Sequence, residues 1–528
     1  MRSVRVFKNV VTNYLRFFMA GAIGLVLTPI LVHLLGDGDY GLWVTVFSLT
    51  GYFGLFDQGI RPSLVRYVAR DHARGDREGL SRTLTSALVL YGGVGVVTLA
   101  IAAVVAAHFG EWFKVLPAQL PVARAVVLIS GASLALGFPL GVFGATLSGL
   151  QRYDAANGIG IGIGVLRAVA FVVVLRMGGG LIGLAWASLA MNLLGHFLSW
   201  MWVRRLLPGL PFGLRFVDRA HLLLIGSYSG FAFVGALASS IAFQTDALVI
   251  TAFLGAALVT PFALAAGLVD NARTLVHSAT WVLSPTASEF EALGEQHKLH
   301  ALLVAGSKYS VLLSWPVLLG LVVFGDNLMV TWVGPRYATA SSWARVLSPH
   351  GPQASAAQLL TLLSLPTLLS LPQSTASSLL YGVSRHKGVV TLSLLNAVLN
   401  LGLSVWWVGP LGVAGVALGT AVPLALVSGI ATAFYACRAL DMSAAHYWWV
   451  GLVQPGLASL AFLLPALAAQ ALWHPTGWLA LGGTCAGCWV VFAVVAWRFS
   501  VNGPERARWS RMVPGMWRGA AAAGGAPR

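Results

Sequence analysis

Long apolar runs, broken at short intervals by charges or by glycine–proline clusters, set the pattern of this chain. Cut at those breaks, the sequence predicts about fourteen transmembrane helices. They begin near residues 13, 40, 83, 122, 157, 180, 222, 258, 303, 350, 389, 410, 447 and 476. Backbone amides inside a bilayer have no water to bond, so runs of this length predict helices that satisfy their own backbone. The tenth span is interrupted at its start by Ser348-Pro-His-Gly-Pro352, a breaker cluster. Gly158, Gly160, Gly162 and Gly164 follow no strand and have the wrong spacing for a dinucleotide fingerprint; they contain two overlapping GxxxG pairs, which let membrane helices approach closely. The expected class is an all-α polytopic membrane protein.

Polar positions orient these helices. With the N-terminus inside, inner segments hold 25 of the 33 lysines and arginines, as the positive-inside rule requires, and both termini are cytoplasmic. An internal repeat supports the order of spans. Residues 144–154, GATLSGLQRYD, resemble residues 377–387, SSLLYGVSRHK, and Ile182-Gly-Leu-Ala185 is echoed by Ala414-Gly-Val-Ala417. Leu35-Gly36 and Leu254-Gly255 close the first helix of each half. The expected organisation is two parallel six-helix lobes, 1–203 and 222–440, joined by a cytoplasmic linker at 204–221. Two extra helices (441–499) and a basic cytoplasmic tail (500–528) follow.

Composition narrows the function. Hydrophobic residues make up 57% and charged residues 9%, with mean hydropathy +0.80, so no segment remains for a soluble catalytic domain. The net charge of +16 is spread over short loops and the tail, which reads as topology and inner-leaflet anchoring rather than nucleic-acid binding. The start, Arg2 to Lys8 followed by an apolar run to Leu35, resembles a signal peptide but predicts an uncleaved first span. Cys437, Cys485 and Cys488 form no disulfide framework. The Cys485–Cys488 pair has no second pair for zinc and is expected to pack, so no metal or cofactor is implied.

Six charges fall within the apolar spans: Arg16, Asp57, Arg167, Asp246, Asp270 and Arg273. An ionisable group at bilayer depth costs roughly 2.5–3.5 kcal/mol on insertion scales and usually faces an internal cavity. Arg16, Arg167 and Arg273 stay charged at any cellular pH and fork onto phosphate or carboxylate oxygens, so they point to anionic cargo. Asp270, Arg273, Thr274 and His277 share one face of the eighth helix at i, i+3, i+4 and i+7. Asp270 and His277 are candidates for ion or proton coupling, and so are Asp57, at the expected end of the second helix before Arg61, and Asp246 in the seventh. Arg167 matches Asn400 across the repeat; Asn13, Asn192, His196, Asn396 and Asn400 are weaker cavity-lining candidates.

Several turn motifs carry a family resemblance. Leu34-Leu-Gly-Asp-Gly-Asp-Tyr-Gly-Leu-Trp43, Leu55-Phe-Asp-Gln-Gly-Ile60 and Val65-Arg-Tyr-Val-Ala69 resemble the opening of bacterial polysaccharide-export flippases. Gly149-Leu-Gln-Arg-Tyr-Asp154 and Trp332-Val-Gly334 with Tyr337 are similar to later motifs of the same group. This is the multidrug/oligosaccharidyl-lipid/polysaccharide exporter superfamily, which includes O-antigen flippases, the peptidoglycan lipid flippase and multidrug antiporters. The resemblance spans roughly residues 5–440. It implies a flippase of the bacterial inner membrane that moves undecaprenyl-pyrophosphate-linked oligosaccharide from the cytoplasmic to the periplasmic leaflet by alternating access. Membrane lipids, a polysaccharide polymerase and chain-length machinery are the implied partners. Arg16 resembles a first-helix arginine of the peptidoglycan lipid flippase, and the two extra helices resemble those lining a lipid-tail groove in fourteen-helix members. Three alternatives remain. One is a cation-coupled multidrug antiporter of the same superfamily, disfavoured by the arginines. Another is a lipid-sugar-dependent glycosyltransferase or polymerase using Asp37 and Asp39, disfavoured by outer loops too short to hold an acceptor. The third is a non-transporting scaffold for the polymer assembly line.

Overall fold

The structure, a computed structural model, describes residues 2–219, 221–223, 230–339, 341–351, 353–501, 503 and 505–506. Among these residues every regular element is a helix. The α-helices of eight residues or more are, in chain order, α1 (Arg2–Phe53), α2 (Leu55–Ala73), α3 (Arg77–Trp112), α4 (Leu120–Gly149), α5 (Tyr153–Arg176), α6 (Gly180–Leu206), α7 (Gly230–Phe253) and α8 (Val259–Trp281). They continue as α9 (Leu283–Ala292), α10 (Gln296–Val323), α11 (Gly325–Trp332), α12 (Ala356–Ser370), α13 (Gln373–Gly382), α14 (His386–Pro423), α15 (Thr432–Ala439), α16 (Leu460–Trp473) and α17 (Trp478–Val495).

Nine helical stretches among the described residues are long and apolar enough to cross a membrane. Two of them, Leu15–Ala73 and His386–Ala439, run for 59 and 54 residues. At 1.5 Å per residue each exceeds a hydrocarbon core of about 30 Å more than twofold, so each must turn back. The turns lie at glycines in the left-handed region, Gly36 (φ 76°) and Gly412 (φ 58°), where a side chain would be strained. The chain is therefore a multi-pass membrane protein.

Two boundaries differ from the sequence reading. The second helix does not end at Asp57: α2 runs on to Ala73, because Arg61, Arg66 and Arg70 sit on a helix rather than in a loop. The tenth span begins only at Ala356, after the breaker cluster, where Ser355 and Gln358 form a reciprocal capping box.

Contacts divide the chain into two compact units. The first comprises Met1–Leu264, Ser341–Ala354 and Ser393–Thr420. Its core joins α2, α3, α4 and α6 through Leu64, Val68, Leu84, Tyr91, Val142 and Val203. The second comprises Ala265–Ala340, Ser355–Leu392 and Ala421–Arg528. One of its clusters joins α10, α13 and α15 through Leu303, Val311, Leu379 and Ala436. Another packs Phe462, Cys488 and Phe492 with Cys485 at its edge, so the cysteine pair lies in an apolar cluster and both thiols are free. Gly160 and Gly164 face α1, at Arg16 and Ile23, while Gly158 and Gly162 face open space. One of the two GxxxG pairs thus makes the close approach.

The sequence repeat is also a backbone repeat. α4 and α13 end on left-handed residues 233 positions apart, Gln151 (φ 56°) and Ser384 (φ 57°). In both, the next amide reaches back five residues, Arg152 to Leu147 O and Arg385 to Leu380 O, each 2.9 Å. α2 and α9 end the same way at Gly75 (φ 69°) and Gly294 (φ 68°). Gly36 pairs with Gly255 and Gly180 with Gly412, all at positive φ.

Candidate functional site

Polar side chains within the spans gather at separate places in the first unit. On α1, Arg16 donates to Asn157 Oδ1 of α5 at 3.5 Å, and Asn157 donates to Thr12 Oγ1 at 3.3 Å. A Cβ at Gly160 would come within 3.1 Å of Arg16 Nε, so glycine makes room for the guanidinium. Beyond this polar foot the same helix pair encloses an apolar groove of about 460 Å³, walled by Ile23, Val26 and Ile30 on one side and Val169, Val172 and Val173 on the other. A charged foot under an apolar groove matches the head and tail of a lipid.

Arg167, farther along α5, donates to Asn192 Oδ1 of α6 at 2.6 Å, and Asn192 passes the chain to Ser133 of α4 at 2.9 Å. Its Nε is buried with no hydrogen-bond partner among the described residues. Asp57 accepts from the buried Tyr91 hydroxyl at 2.7 Å and pairs with Arg61 at 3.5 Å. Asp57, Arg61 and Tyr91 are therefore one polar group, of which the sequence pattern linked only the first two. The half-buried His196 of α6 lies against α4, where a Cβ at Gly137 would come within 3.3 Å of its Nε2.

Asp246 on α7 is a buried acid within a span, 3% exposed. Thr420 donates to its Oδ2 at 2.7 Å, and Asn400, 1% exposed, donates to Thr420 at 2.9 Å. Asn396 lies one turn before Asn400, and the amide oxygens of both asparagines are buried without a hydrogen-bond partner. Asn396 and Asn400 are thus packed among helices rather than open to a cavity. Two hydroxyl pairs tie α7 to α1: Tyr52 bonds Thr245, and Thr45 bonds Thr251 at 2.6 Å. A buried carboxylate, two acceptor amides and a hydroxyl supply the hard oxygen donors that a monovalent cation or a proton needs.

In the second unit, Asp270 and Arg273 of α8 form an i,i+3 ion pair at 3.2 Å. Asp270 is 57% exposed and Arg273 13%. Thr274 turns back to the Asp270 carbonyl, while His277 is exposed. The side chain of Asn13 lies outside the described residues. Asp39 accepts from Gln119 at 2.7 Å, and the Asp37 carbonyl accepts from Thr260, so both acids serve the first turn. Among the described residues no three His, Cys, Asp or Glu converge as metal ligands.

One charge escaped the sequence reading. Lys308, not among the six charges read within the spans, sits 12 residues into α10, is 6% exposed, and bonds Glu505 at 2.7 Å. Its partner lies 197 residues away, which no local pattern reveals.

Comparison with known proteins accords with this architecture. The uncharacterized membrane protein EpsK of Bacillus subtilis is 23% identical over 495 residues, covering 92% of this chain and 94% of its own. The inward-facing structure of a multidrug resistance MATE family transporter of the MOP superfamily superposes with a TM-score of 0.65 at 16% identity, covering 80% of this chain and 94% of that one. The inward closed structure of the lipid II flippase MurJ superposes with a TM-score of 0.64 at 14% identity, covering 93% and 99%. The fold is that of these transport proteins. The model of the polysaccharide biosynthesis protein family matches residues 6–291, more than half the sequence, and the chain therefore belongs to that family.

Proposed function

We propose that this protein flips undecaprenyl-pyrophosphate-linked oligosaccharide from the cytoplasmic to the periplasmic leaflet of a bacterial inner membrane, by alternating access. The observation that carries the reading is a polysaccharide-family sequence folded like a lipid II flippase. Intramembrane arginines add to it. Arg16, Arg167 and Arg273 are the proposed pyrophosphate ligands; Arg16 stands at the foot of an apolar groove, and Arg167 keeps an unused donor. The polymer-assembly enzymes would take the product on the outer side.

Asp246, with Asn396, Asn400 and Thr420, is the proposed coupling site for a monovalent cation or proton. Asp57, Asp270 and His277 are secondary candidates. The energetics suit an exchange. An inside-negative potential pushes an anion outward by about 2.3 kcal/mol per charge per 100 mV, and it draws a cation inward by the same amount. Cargo leaving and cation entering both run downhill, so the cation step can reset the empty carrier. A multidrug antiporter is the second reading, favoured by the MATE superposition.

The test is transfer of a fluorescent undecaprenyl-pyrophosphate oligosaccharide in proteoliposomes, comparing wild type with Arg273→Ala at matched protein. The expected result is transfer by wild type and about a tenfold loss in the variant, the worth of one charge-assisted phosphate contact. Unchanged transfer would keep the flippase and remove Arg273 from the site. No transfer by folded wild type, with the glycan varied, would put the antiporter first.

A further inference from the structure

A cavity of about 780 Å³ opens at the start of α10, well away in sequence from the groups assigned to cargo and coupling. Its polar lining is Lys298, His300 and Lys308 from α10, His446 from the first turn of the span Ala444–Trp473, and Glu505 from the tail. Between these groups the wall is apolar, formed by Leu302, Ala305 and Val450. Lys308 lies ten residues beyond Lys298, about 15 Å along the helix axis, so the cations stand at two depths. Lys298 and His446 are exposed at the mouth. Lys308 is buried at the floor, neutralised by Glu505.

The mouth is at the membrane surface. The positive-inside count puts the start of α10 on the cytoplasmic side, and Trp449, 58% exposed beside the half-buried Trp448, supplies the indole rings typical of the headgroup level. Cations at the surface above an apolar wall fit a phosphate-bearing lipid better than a soluble anion. The charge count selects among lipids. Lys298 is shared with Glu295 at 2.6 Å, and Lys308 with Glu505. The buried Lys308 is neutralised by Glu505, whereas the exposed pairing of Lys298 with Glu295 is weak, so the mouth keeps one cation and the imidazole of His446, which suit a single phosphodiester rather than a multiply charged pyrophosphate.

We infer that this pocket is an inner-leaflet site for an anionic glycerophospholipid. Lys298 and His446 hold its phosphate, an acyl chain lies along Leu302, Ala305 and Val450, and the Lys308–Glu505 pair closes the floor. The inference does not rest on the transport reading.

The experiment uses the full chain, purified in detergent, and measures retained lipid by native mass spectrometry. The probes are phosphatidylglycerol and phosphatidylcholine with identical acyl chains. Wild type is expected to prefer phosphatidylglycerol by about fivefold, the factor one surface cation contributes toward an anionic lipid. The Lys298→Ala/His446→Ala variant, which alters only exposed side chains, should bind the two lipids equally at unchanged melting temperature. The charge-matched control Arg385→Ala/Lys387→Ala should keep the preference. Equal binding of both lipids by wild type overturns the inference, and so does a preference that survives the mouth substitutions. Undecaprenyl pyrophosphate displacing phosphatidylglycerol at equal concentration, through the same two residues, would overturn it in another way, by making the pocket a cargo site.

Discussion

The two halves of the repeat share their turns and differ in their charges. Arg167 and Asn400 stand 233 positions apart, each in the second half of an equivalent helix. In the first half the residue is a cation that donates to Asn192 on the next helix and keeps Nε unused. In the second it is a neutral amide that donates to Thr420 on the next helix, and Thr420 donates in turn to the carboxylate of Asp246. One scaffold position therefore presents a donor site suited to an anion in one half and an acceptor site suited to a cation in the other. The two halves share turn geometry and differ in the sign of the charge they frame.

The largest expected effect breaks this division directly. Asp246→Asn keeps the shape and removes the charge, and should cut cation-driven transfer about a hundredfold, near 2.7 kcal/mol. Arg167→Gln should weaken cargo binding while leaving the cation dependence of transfer unchanged. The check is initial transfer rate against external cation concentration for both variants. A loss of cation dependence in Arg167→Gln as large as that in Asp246→Asn would show that the halves do not divide the work.

Shared geometry has its own test, of intermediate size. A Cβ at Gly149 would meet Val68 Cγ1 at 2.7 Å and Val65 O at 3.0 Å. At Gly382 it would meet Ser284 O at 2.4 Å and Ala287 Cβ at 3.0 Å. In each case the obstacle is the next helix of the same half, α2 or α9. Gly149→Val and Gly382→Val should each destabilise by roughly 1–3 kcal/mol, the usual cost of forcing atoms into a filled interface. Gly382→Val should be the worse, because a carbonyl yields less than a methyl. Thermal unfolding in detergent reads both. Tolerance of one but not the other would mean that only one half keeps the close packing.

These pairs also show what the sequence made legible. The apolar runs and the glycines at Gly36 and Gly255 announce helices and their turns, because burial and positive φ restrict residue type. Gly149 and Gly382 align by eye for the same reason. The end of α2 was hidden: Arg61, Arg66 and Arg70 look like an inner loop by charge, yet a helix can leave the membrane and continue in water. Asp246 was visible as an acid in a span, but its partners Asn400 and Thr420 are distant in sequence and gather only by packing. Lys308 with Glu505 is the extreme case.

The smallest effect concerns the turns that the sequence disguised. Gln151 and Ser384 occupy the left-handed position that ends a helix, where glycine is the usual residue and carries no steric penalty. A residue with a Cβ costs roughly 1–2 kcal/mol there, while glycine gives back about 0.5–1 kcal/mol through the freedom it adds to the unfolded chain. Gln151→Gly and Ser384→Gly should therefore each stabilise by about 1 kcal/mol or less, raising the melting temperature by about a degree in a chain of this size. Equal gains would mean that both halves tolerate the same strain for no local return. A gain at one position and a loss at the other would mean that the losing side chain makes a contact worth more than its strain, and that its turn has diverged as the charges have.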